Sequence, residues 1–224
     1  GGRLVLAARR EDRQHRVADA LGGDVAILPG DVGDERYAAA LVALALERFG
    51  GLDIAFNNAG SVGTPGPLTE LSAKDWGATI ATNLTAAFFG AKHQAAAMAA
   101  RGGGSILFSS SFVGAATGIP GMGAYAPAKA GLLGLVRTLA VELGPKRVRA
   151  NALVIGGTDT PASAARQPGA DPGVQAWMEQ LHALKRTADP AEIAEMALFL
   201  ASDAASFVTG AAIAVDGGAS ITKM

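Results

Sequence analysis

Two side chains four positions apart, Tyr125 and Lys129, have the clearest chemical potential in this sequence. Residues at i and i+4 lie on one face of a helix, so the pair can act together if the segment is helical. A free tyrosine has a pKa of about 10, and a neighbouring ammonium group favours its ionised form, which suits proton transfer. The same spacing also occurs by chance on solvated helices, so the pair needs support from other residues.

Polar residues that could support this pair stand where apolar runs end. The run 105–108 is followed by Ser109, Ser110 and Ser111, and another run ends in the Asn-Asn-Ala-Gly segment that starts at Asn57. Asn83 lies inside a long helical pattern, where an uncapped asparagine is unfavourable by propensity. A packing or functional reason for Asn83 is therefore expected.

The elements that must position these residues are short apolar runs alternating with longer helical patterns. Several runs are continuous, as in strands buried on both faces of a parallel sheet. The expected strands are 4–7, 25–28, 52–56, 105–108, 148–153 and 211–215, and the expected helices are 34–49, 72–100, 124–143 and 190–201. This order predicts an α/β fold with a doubly wound parallel sheet. With no internal repeat and no low-complexity linker, residues 1–224 are expected to form a single domain.

One segment, residues 160–186, has a different character. Five of its positions are proline or glycine, and a short amphipathic stretch follows them. An insertion of this kind after a strand suits a mobile lid over a site. An ordinary surface excursion is the alternative, and both interpretations stay open.

Composition argues against several classes of protein. The chain has 224 residues, is 50% hydrophobic and has a formal net charge of -1, so it can bury a sizeable core and has no overall field that would recruit nucleic acid. It has no cysteine and three isolated histidines, so neither disulfides nor a metal site are expected. Serines, prolines and glycines break the uncharged stretch 102–128, and no signal peptide opens the chain. These features predict a cytoplasmic protein without a membrane span.

The C-terminal segment reads V-T-G-A-A-I-A-V-D-G-G from Val208 to Gly218. Together with N-N-A-G at 57–60 and a serine followed by Y-x-x-x-K, it makes the sequence resemble the short-chain dehydrogenase/reductase family from about Leu4 onward. The resemblance implies a Rossmann-like fold, a nicotinamide dinucleotide cofactor, and hydride transfer that interconverts a ketone and a secondary alcohol.

The resemblance also implies a role for each matching residue. Tyr125 would be the general acid in reduction and the general base in oxidation. Lys129 would lower the pKa of Tyr125 and bind the nicotinamide ribose. Ser111, preferred to Ser110 because Phe-Val-Gly follows it as in similar sequences, would hold and polarise the substrate oxygen. Asn83 would hold a water that links Lys129 to solvent.

Cofactor contacts are implied at three turns, besides Tyr125 and Lys129. They are Asp31 and Val32 at the adenine, Asn57, Ala59 and Gly60 at the adenine ribose, and Gly156, Thr158 and Thr160 at the carboxamide and phosphates. Small residues in these turns let the backbone pass close to the cofactor. Family members usually have proline where this chain has Ile155, which leaves the path of the last turn open.

The choice between NAD(H) and NADP(H) rests on the residues after the first expected strand. An acidic residue there binds a ribose 2′-hydroxyl, whereas an arginine favours a 2′-phosphate. This chain has Ala8 at the acidic position, followed by Arg9 and Arg10. NADP(H) is therefore favoured and NAD(H) remains possible, with a solvated helix start as the other explanation of the arginines.

The glycine-rich turn T-G-x-x-x-G-x-G of the family is not found in this sequence. The first strand–turn–helix unit of about 30 residues is therefore expected to be missing, which would split the sheet. Either the sequence begins after a segment that the protein possesses, or the reductase is truncated and inactive. A non-catalytic nucleotide-sensing or scaffold protein on the same fold, and a Rossmann-type methyltransferase, are the alternatives from other classes.

The expected partners are a small carbonyl or alcohol substrate and further copies of the chain. Members of the family often form homotetramers through two long helices, here 72–100 and 124–143, so a homodimer or homotetramer is expected. Residues Ala128, Leu132, Leu135 and Leu139 are predicted to form an outer apolar face on the second helix. The alternative is that they cover the sheet.

Overall fold

The computed structural model describes residues 2–166 and 169–222 as alternating parallel strands and helices. The strands are β1 (Leu4–Ala8), β2 (Val25–Pro29), β3 (Ile54–Asn57), β4 (Gly104–Ser111), β5 (Val148–Ile155) and β6 (Ala212–Val215). The α-helices are α1 (Glu11–Leu21), α2 (Glu35–Phe49), α3 (Ala73–Ile80), α4 (Ala86–Arg101), α5 (Phe112–Ala115), α6 (Tyr125–Leu143), α7 (Pro172–Gln180) and α8 (Pro190–Ala201). All six expected strands are present, within a few residues of their predicted bounds.

The strands form two parallel sheets in the described part of the chain. β1 pairs with β2, while β3, β4, β5 and β6 pair in that order. The expected division of the sheet is thus observed. Because all strands of a sheet run in one direction, their carboxyl ends lie at a common edge. That edge brings together the turns after β3, β4 and β5.

Helices cover both faces of the four-stranded sheet. On one face, Met98 of α4 and Leu132 of α6 pack with Phe108 of β4, and all three are almost fully buried. On the other, Leu200 of α8 packs with Leu107 of β4. Burying such side chains contributes roughly 2 kcal/mol each. β4 is therefore held on both faces, which fixes the strand end that carries the serines.

The predicted helix 72–100 is present as one helical run from Ala73 to Arg101, but it is not a regular α-helix throughout. α3 begins at the capping residue Ser72, whose side chain accepts from the Asp75 amide, as the sequence pattern suggests. A π-helical turn, Ala81–Thr85, then separates α3 from α4. Single π turns inside helices are frequent at functional sites. This one contains Asn83, which supplies the structural reason for that residue.

The predicted outer face of α6 is wrong. Ala128 and Leu132 are buried in the core, and Leu135 and Leu139 pack against the same cluster. The alanine-rich α4 and the strands leave enough room for these side chains to cover the sheet.

Within the described residues, the helices lack the length and apolar character needed to cross a bilayer. The acidic and histidine side chains of the same residues form no group suited to a metal ion.

Candidate active site

Tyr125 and Lys129 lie on one face at the start of α6, beside the end of β4. The Lys129 Nζ is 5.6 Å from the centroid of the Tyr125 ring and donates a hydrogen bond of 2.7 Å to the Ser109 carbonyl. Lys129 is buried, with 4% of its surface exposed, while Tyr125 is partly buried. The structure thus brings the two residues together and points the ammonium group toward the strand end.

The strand alternation gives the last two serines of β4 different partners. The Ser110 hydroxyl donates to the Lys129 carbonyl over 2.9 Å and so anchors α6 to the strand. The Ser111 side chain caps α5 by accepting from the Val113 amide at 3.2 Å, and it lies close enough to the Tyr125 side chain to lower the pKa of that phenol. Ser111 is therefore the serine that faces Tyr125.

Burial controls the protonation of both central groups. It raises the pKa of the Tyr125 phenol above its ordinary value, and the hydrogen bond with Ser111 opposes this only in part. It lowers the pKa of Lys129 to about 8, because a low-dielectric environment disfavours the ammonium form. The protein's own groups therefore raise the pKa of Tyr125 on balance, whereas the sequence predicts that Lys129 lowers this pKa. Tyr125 is a neutral phenol at neutral pH and holds a proton that it can donate.

Asn83 fixes the turn after β3 from within the π turn. Its amide nitrogen donates to the Ser61 carbonyl at 2.7 Å and to the Thr79 carbonyl at 2.9 Å, and its oxygen accepts from the Ser61 amide at 3.2 Å. Gly60 lies between Asn83 and Lys129. A Cβ at this glycine would lie 2.8 Å from the Asn83 oxygen and 3.1 Å from the Lys129 nitrogen. The missing side chain therefore allows Asn83 and Lys129 to approach the same stretch of backbone.

Asn57 has a partner that sequence reasoning missed. Its side chain and that of Gln94 exchange two hydrogen bonds, at 2.9 Å and 3.1 Å. The Asn57 side chain lies over Gly90 of α4, where a Cβ would collide with it. The end of β3 is thereby fixed to α4, while Ala59 and Gly60 remain exposed in the turn. No sequence signal links positions 57 and 94, because the pairing is a tertiary contact.

The turn after β5 contains Gly156, Thr158 and Thr160. The Thr158 hydroxyl donates to the Gly156 carbonyl at 3.2 Å. The turn also pairs with the segment that follows α7, since the Ala188 amide donates to the Gly157 carbonyl at 2.8 Å and the Asp159 amide to the Ala188 carbonyl at 2.9 Å. Its path is thus defined both by the sheet, where the Gly156 amide donates to the Val215 carbonyl of β6 at 3.1 Å, and by contacts outside it.

The residues predicted for the adenine end lie at the edge of the two-stranded sheet. Arg9 and Arg10 follow β1 and are exposed, and neither forms an ion pair with any residue the structure describes. Asp31 follows β2 and accepts from the Gly33 amide at 2.9 Å, with Val32 between them. The structure places all four at one strand edge and leaves the two guanidinium groups available.

This set of groups is compatible with a nicotinamide dinucleotide. Unpaired guanidinium groups at one sheet edge suit a phosphate, and a buried ammonium beside a phenol suits a ribose and a reacting carbonyl. In chemical terms, Tyr125 supplies a phenol that keeps its proton at neutral pH, beside a buried ammonium group.

An all-parallel α/β sheet with serine, tyrosine and lysine at one strand end defines a nucleotide-dependent oxidoreductase of Rossmann type. The family described as "Enoyl-(Acyl carrier protein) reductase" matches residues 1–220. A 2,5-dichloro-2,5-cyclohexadiene-1,4-diol dehydrogenase of Sphingobium indicum is 37% identical over 218 residues, covering 97% of this chain and 87% of that protein. A cyclohexanol dehydrogenase of an Acinetobacter species is 37% identical over 220 residues, covering 97% of this chain and 84% of that protein.

The solved structures agree with these relatives. The crystal structure of levodione reductase matches with a TM-score of 0.92 and 31% identity, covering 100% of this chain and 90% of that one. The chain belongs to the short-chain dehydrogenase/reductase family. It is an oxidoreductase of ketones and secondary alcohols, in a family that uses NAD(H) or NADP(H). The predicted family, fold class and enzyme class are confirmed.

Proposed function

We propose that this chain reduces a cyclic ketone, or oxidises the corresponding cyclic secondary alcohol, with Tyr125 as the residue that transfers the proton. The observation that carries the proposal is the placement of Ser111, Tyr125 and the buried Lys129 together at the end of β4, with the Lys129 Nζ 5.6 Å from the centroid of the phenol ring. The cyclic character of the substrate is taken from the printed names of the cyclohexanol, cyclohexadienediol and levodione enzymes.

The roles of the side chains follow from their positions. A substrate oxygen that accepts from Ser111 and Tyr125 becomes polarised, and the phenol then donates its proton as negative charge develops on that oxygen. The dinucleotide supplies or accepts the hydride at the substrate carbon. In the oxidation direction Tyr125 takes the alcohol proton. Lys129 stabilises the phenolate that remains, since its ammonium group lies against the ring.

The remaining groups complete the route of the proton. The Asn83 oxygen and the Lys129 nitrogen both face Gly60, where a bound water would connect them to solvent. Lys129 has a pKa of about 8, so it can exchange a proton near neutral pH with little free-energy penalty. Reprotonation of Tyr125 after reduction is assigned to this path.

NADP(H) is the proposed cofactor, with NAD(H) as the alternative. Arg9 and Arg10 are exposed and unpaired among the described residues, so a 2′-phosphate would find two guanidinium groups at the end of β1. Asp31 lies at the neighbouring strand end, bonded to its own turn. A ribose 2′-hydroxyl would find no carboxylate at position 8 to accept its hydrogen bond, because that residue is Ala8.

Segment 160–186 is proposed as a lid over the substrate. The structure describes it except for Gln167 and Pro168, which lie outside the described residues. Arg166 forms a double ion pair with Asp159, at 2.7 Å and 2.5 Å, and so connects the segment to the turn after β5.

A cytoplasmic homodimer or homotetramer is also proposed. Its contact surface would use exposed apolar residues of the long helices, such as Phe88 and Val141.

The test is a coupled assay with NADPH and NADH against cyclohexanone and its substituted derivatives, and against cyclohexanol in reverse. Wild-type protein should oxidise NADPH, and Tyr125→Phe should lose a factor of about 10² to 10⁴ in kcat, because the substitution removes the proton donor. Circular dichroism and cofactor titration of the variant control for folding and binding. Full activity in Tyr125→Phe would disprove the assigned role. Absence of any dinucleotide binding by the wild type would favour a scaffold protein or a truncated, inactive reductase.

A further inference from the structure

His182 is a buried histidine that joins three separate segments, and the mechanism above does not use it. It lies just beyond the end of α7 and is 2% exposed. Its Nδ1 is 2.8 Å from the Met178 carbonyl, and its Nε2 accepts a hydrogen bond of 2.8 Å from the Gly157 amide. Gly217, in the turn after β6, packs against the other side of the ring. The imidazole thus connects α7, the turn after β5 and the C-terminal turn.

These two contacts define one state of the ring. A carbonyl can only accept, so Nδ1 must carry the proton that is donated to Met178. The Gly157 amide can only donate, so Nε2 must present a lone pair. His182 is therefore the neutral Nδ1–H tautomer, and in this form both ring nitrogens have partners.

The turn that His182 contacts has little rigidity of its own. It begins with Gly156 and Gly157, and glycines lose the most conformational freedom when a chain is fixed. Ile155 precedes them, and unlike proline it leaves the backbone φ angle free. A cavity of about 310 Å³ adjoins both glycines and His182, so packing alone does not confine this backbone. Backbone hydrogen bonds from Gly156 to Val215, from Ala188 to Gly157 and from Asp159 to Ala188 hold parts of this turn, and the Gly157 amide itself is held by His182.

A side chain at either glycine would also disturb the contact. A Cβ at Gly156 would lie 2.9 Å from the His182 Nε2, and a Cβ at Gly157 would lie 2.9 Å from the His182 Cε1. The imidazole therefore occupies the space that two absent side chains leave. Glycines at 156 and 157 and a histidine at 182 are therefore sterically dependent on one another.

We propose that His182 is a positioning residue that, by accepting from the Gly157 amide, holds the 156–160 turn in the conformation that receives the nicotinamide end of the dinucleotide. This inference rests on the proposed function, because that function identifies the bound group as a dinucleotide. The hydrogen bond between Gly157 and His182 is independent of the proposed function. In this role the effect of His182 passes through Gly157 to Thr158 and Thr160.

Two substitutions separate the two ring nitrogens. In His182→Gln the side-chain oxygen reaches about as far as Nε2 and can accept from Gly157. In His182→Asn the shorter amide can still donate to the Met178 carbonyl, but its oxygen falls short of Gly157. Both variants remove the ring, so a role in packing alone would affect them to a similar extent. A positioning role predicts that only His182→Asn loses cofactor affinity.

The experiment combines three measurements on the full chain. Long-range ¹H–¹⁵N spectra of the wild type should show the neutral Nδ1–H tautomer. Hydrogen exchange of the Gly157 amide should be about tenfold faster in His182→Asn than in the wild type or His182→Gln, as expected for one lost buried hydrogen bond. Titration with NADPH and NADH should give a Kd about tenfold weaker for His182→Asn, with His182→Gln close to the wild type.

Each outcome decides the question. A protonated Nε2 in the wild type would overturn the proposal even if neither variant folds. Equal Kd values for the two variants would assign His182 to packing and also overturn it. If the wild type binds neither dinucleotide, the proposed function fails. The tautomer and the Gly157 exchange rates would then still show whether His182 holds the turn.

Discussion

The Lys129 ammonium nitrogen lies 2.7 Å from the carbonyl oxygen of Ser109, while the Lys129 side chain is almost entirely excluded from water. One backbone carbonyl is the only partner that the described hydrogen bonds give this charge. A buried cation with one neutral partner is poorly stabilised, which agrees with its pKa of about 8. Lys129 therefore loses its proton more easily than a solvated lysine, and the cost of burying its charge lowers the stability of the fold.

The stability of the protein should therefore rise between pH 7 and pH 9.5. Lys129 has a pKa of about 8 when folded and about 10.5 when unfolded, so in this interval the unfolded chain binds more protons. The gain in the free energy of unfolding should be about 2 kcal/mol. Urea denaturation at pH 7, 8 and 9.5 measures it. Lys129→Met removes the titrating group and should show a flat profile by comparison, and a parallel rise in that variant would contradict the assignment.

Ser110 and Ser111 should differ in their effect on catalysis. Ser111→Ala should reduce kcat/KM by about 10² to 10³, because it removes a donor to the developing charge, and should also lower the free energy of unfolding by about 1 kcal/mol, because its side chain caps α5. Ser110→Ala breaks the buried bond to the Lys129 carbonyl and should lower the free energy of unfolding by about 1 kcal/mol. Its kcat/KM should stay within a few-fold of the wild type. Steady-state kinetics and urea unfolding of both variants form the test, and a catalytic loss in Ser110→Ala alone would reverse the assignment.

Arg9→Ala and Arg10→Ala should weaken NADPH binding and spare NADH binding. Each removes a charge-assisted hydrogen bond to a 2′-phosphate, so the Kd for NADPH should rise about tenfold or more. Arg13→Ala is the matched control, since Arg13 is an exposed arginine one turn further along α1. Fluorescence titration with both dinucleotides measures the effect. An equal loss for NADH and NADPH would mean that the arginines do not discriminate.

Gly60→Ala should lower both stability and activity. The new methyl group would lie 2.8 Å from the Asn83 oxygen and 3.1 Å from the Lys129 nitrogen, so at least one of them must move. The free energy of unfolding should fall by roughly 1 to 3 kcal/mol. Gly134→Ala is the control, because a Cβ there meets nothing within 4 Å inside α6 and should stabilise the helix by up to about 1 kcal/mol. Wild-type kcat in Gly60→Ala would show that Asn83 and Lys129 tolerate displacement.

Local patterns in the sequence predicted much of this architecture. Continuous apolar runs located the strands, and the i, i+4 spacing brought Tyr125 and Lys129 onto one face. Patterns of this kind are set by neighbours along the chain, so they can be read from a single sequence. The unfavourable position of Asn83 inside a helix predicted a packing or functional reason for that residue, but the π turn itself could not be derived from propensity.

The features that sequence reasoning missed are all contacts between distant segments. Gln94 pairs with Asn57 across 37 positions, and His182 bonds Gly157 across 25. The face of α6 that carries Leu132 was assigned to the outside because periodicity shows that a helix has an apolar face, but not which neighbour covers it. Only the three-dimensional packing of α4 and β4 against that face decides this.

The π turn at Ala81–Thr85 has a consequence for how the chain tolerates length changes. A π turn contains one residue more than an α turn, and one residue of an α-helix corresponds to a rotation of about 100°. Because the wide turn takes up its extra residue locally, α4 keeps nearly the orientation that a regular α-helix one residue shorter would give it. Deleting one residue of this turn should therefore let α3 run directly into α4 and leave Gln94 opposite Asn57, whereas a deletion in the regular part of α4 before Gln94 would rotate the rest of that helix by about 100°. The π turn is thus the place where this helical run best tolerates the loss of a residue, and the change there falls on Asn83 and its hydrogen bonds to Ser61.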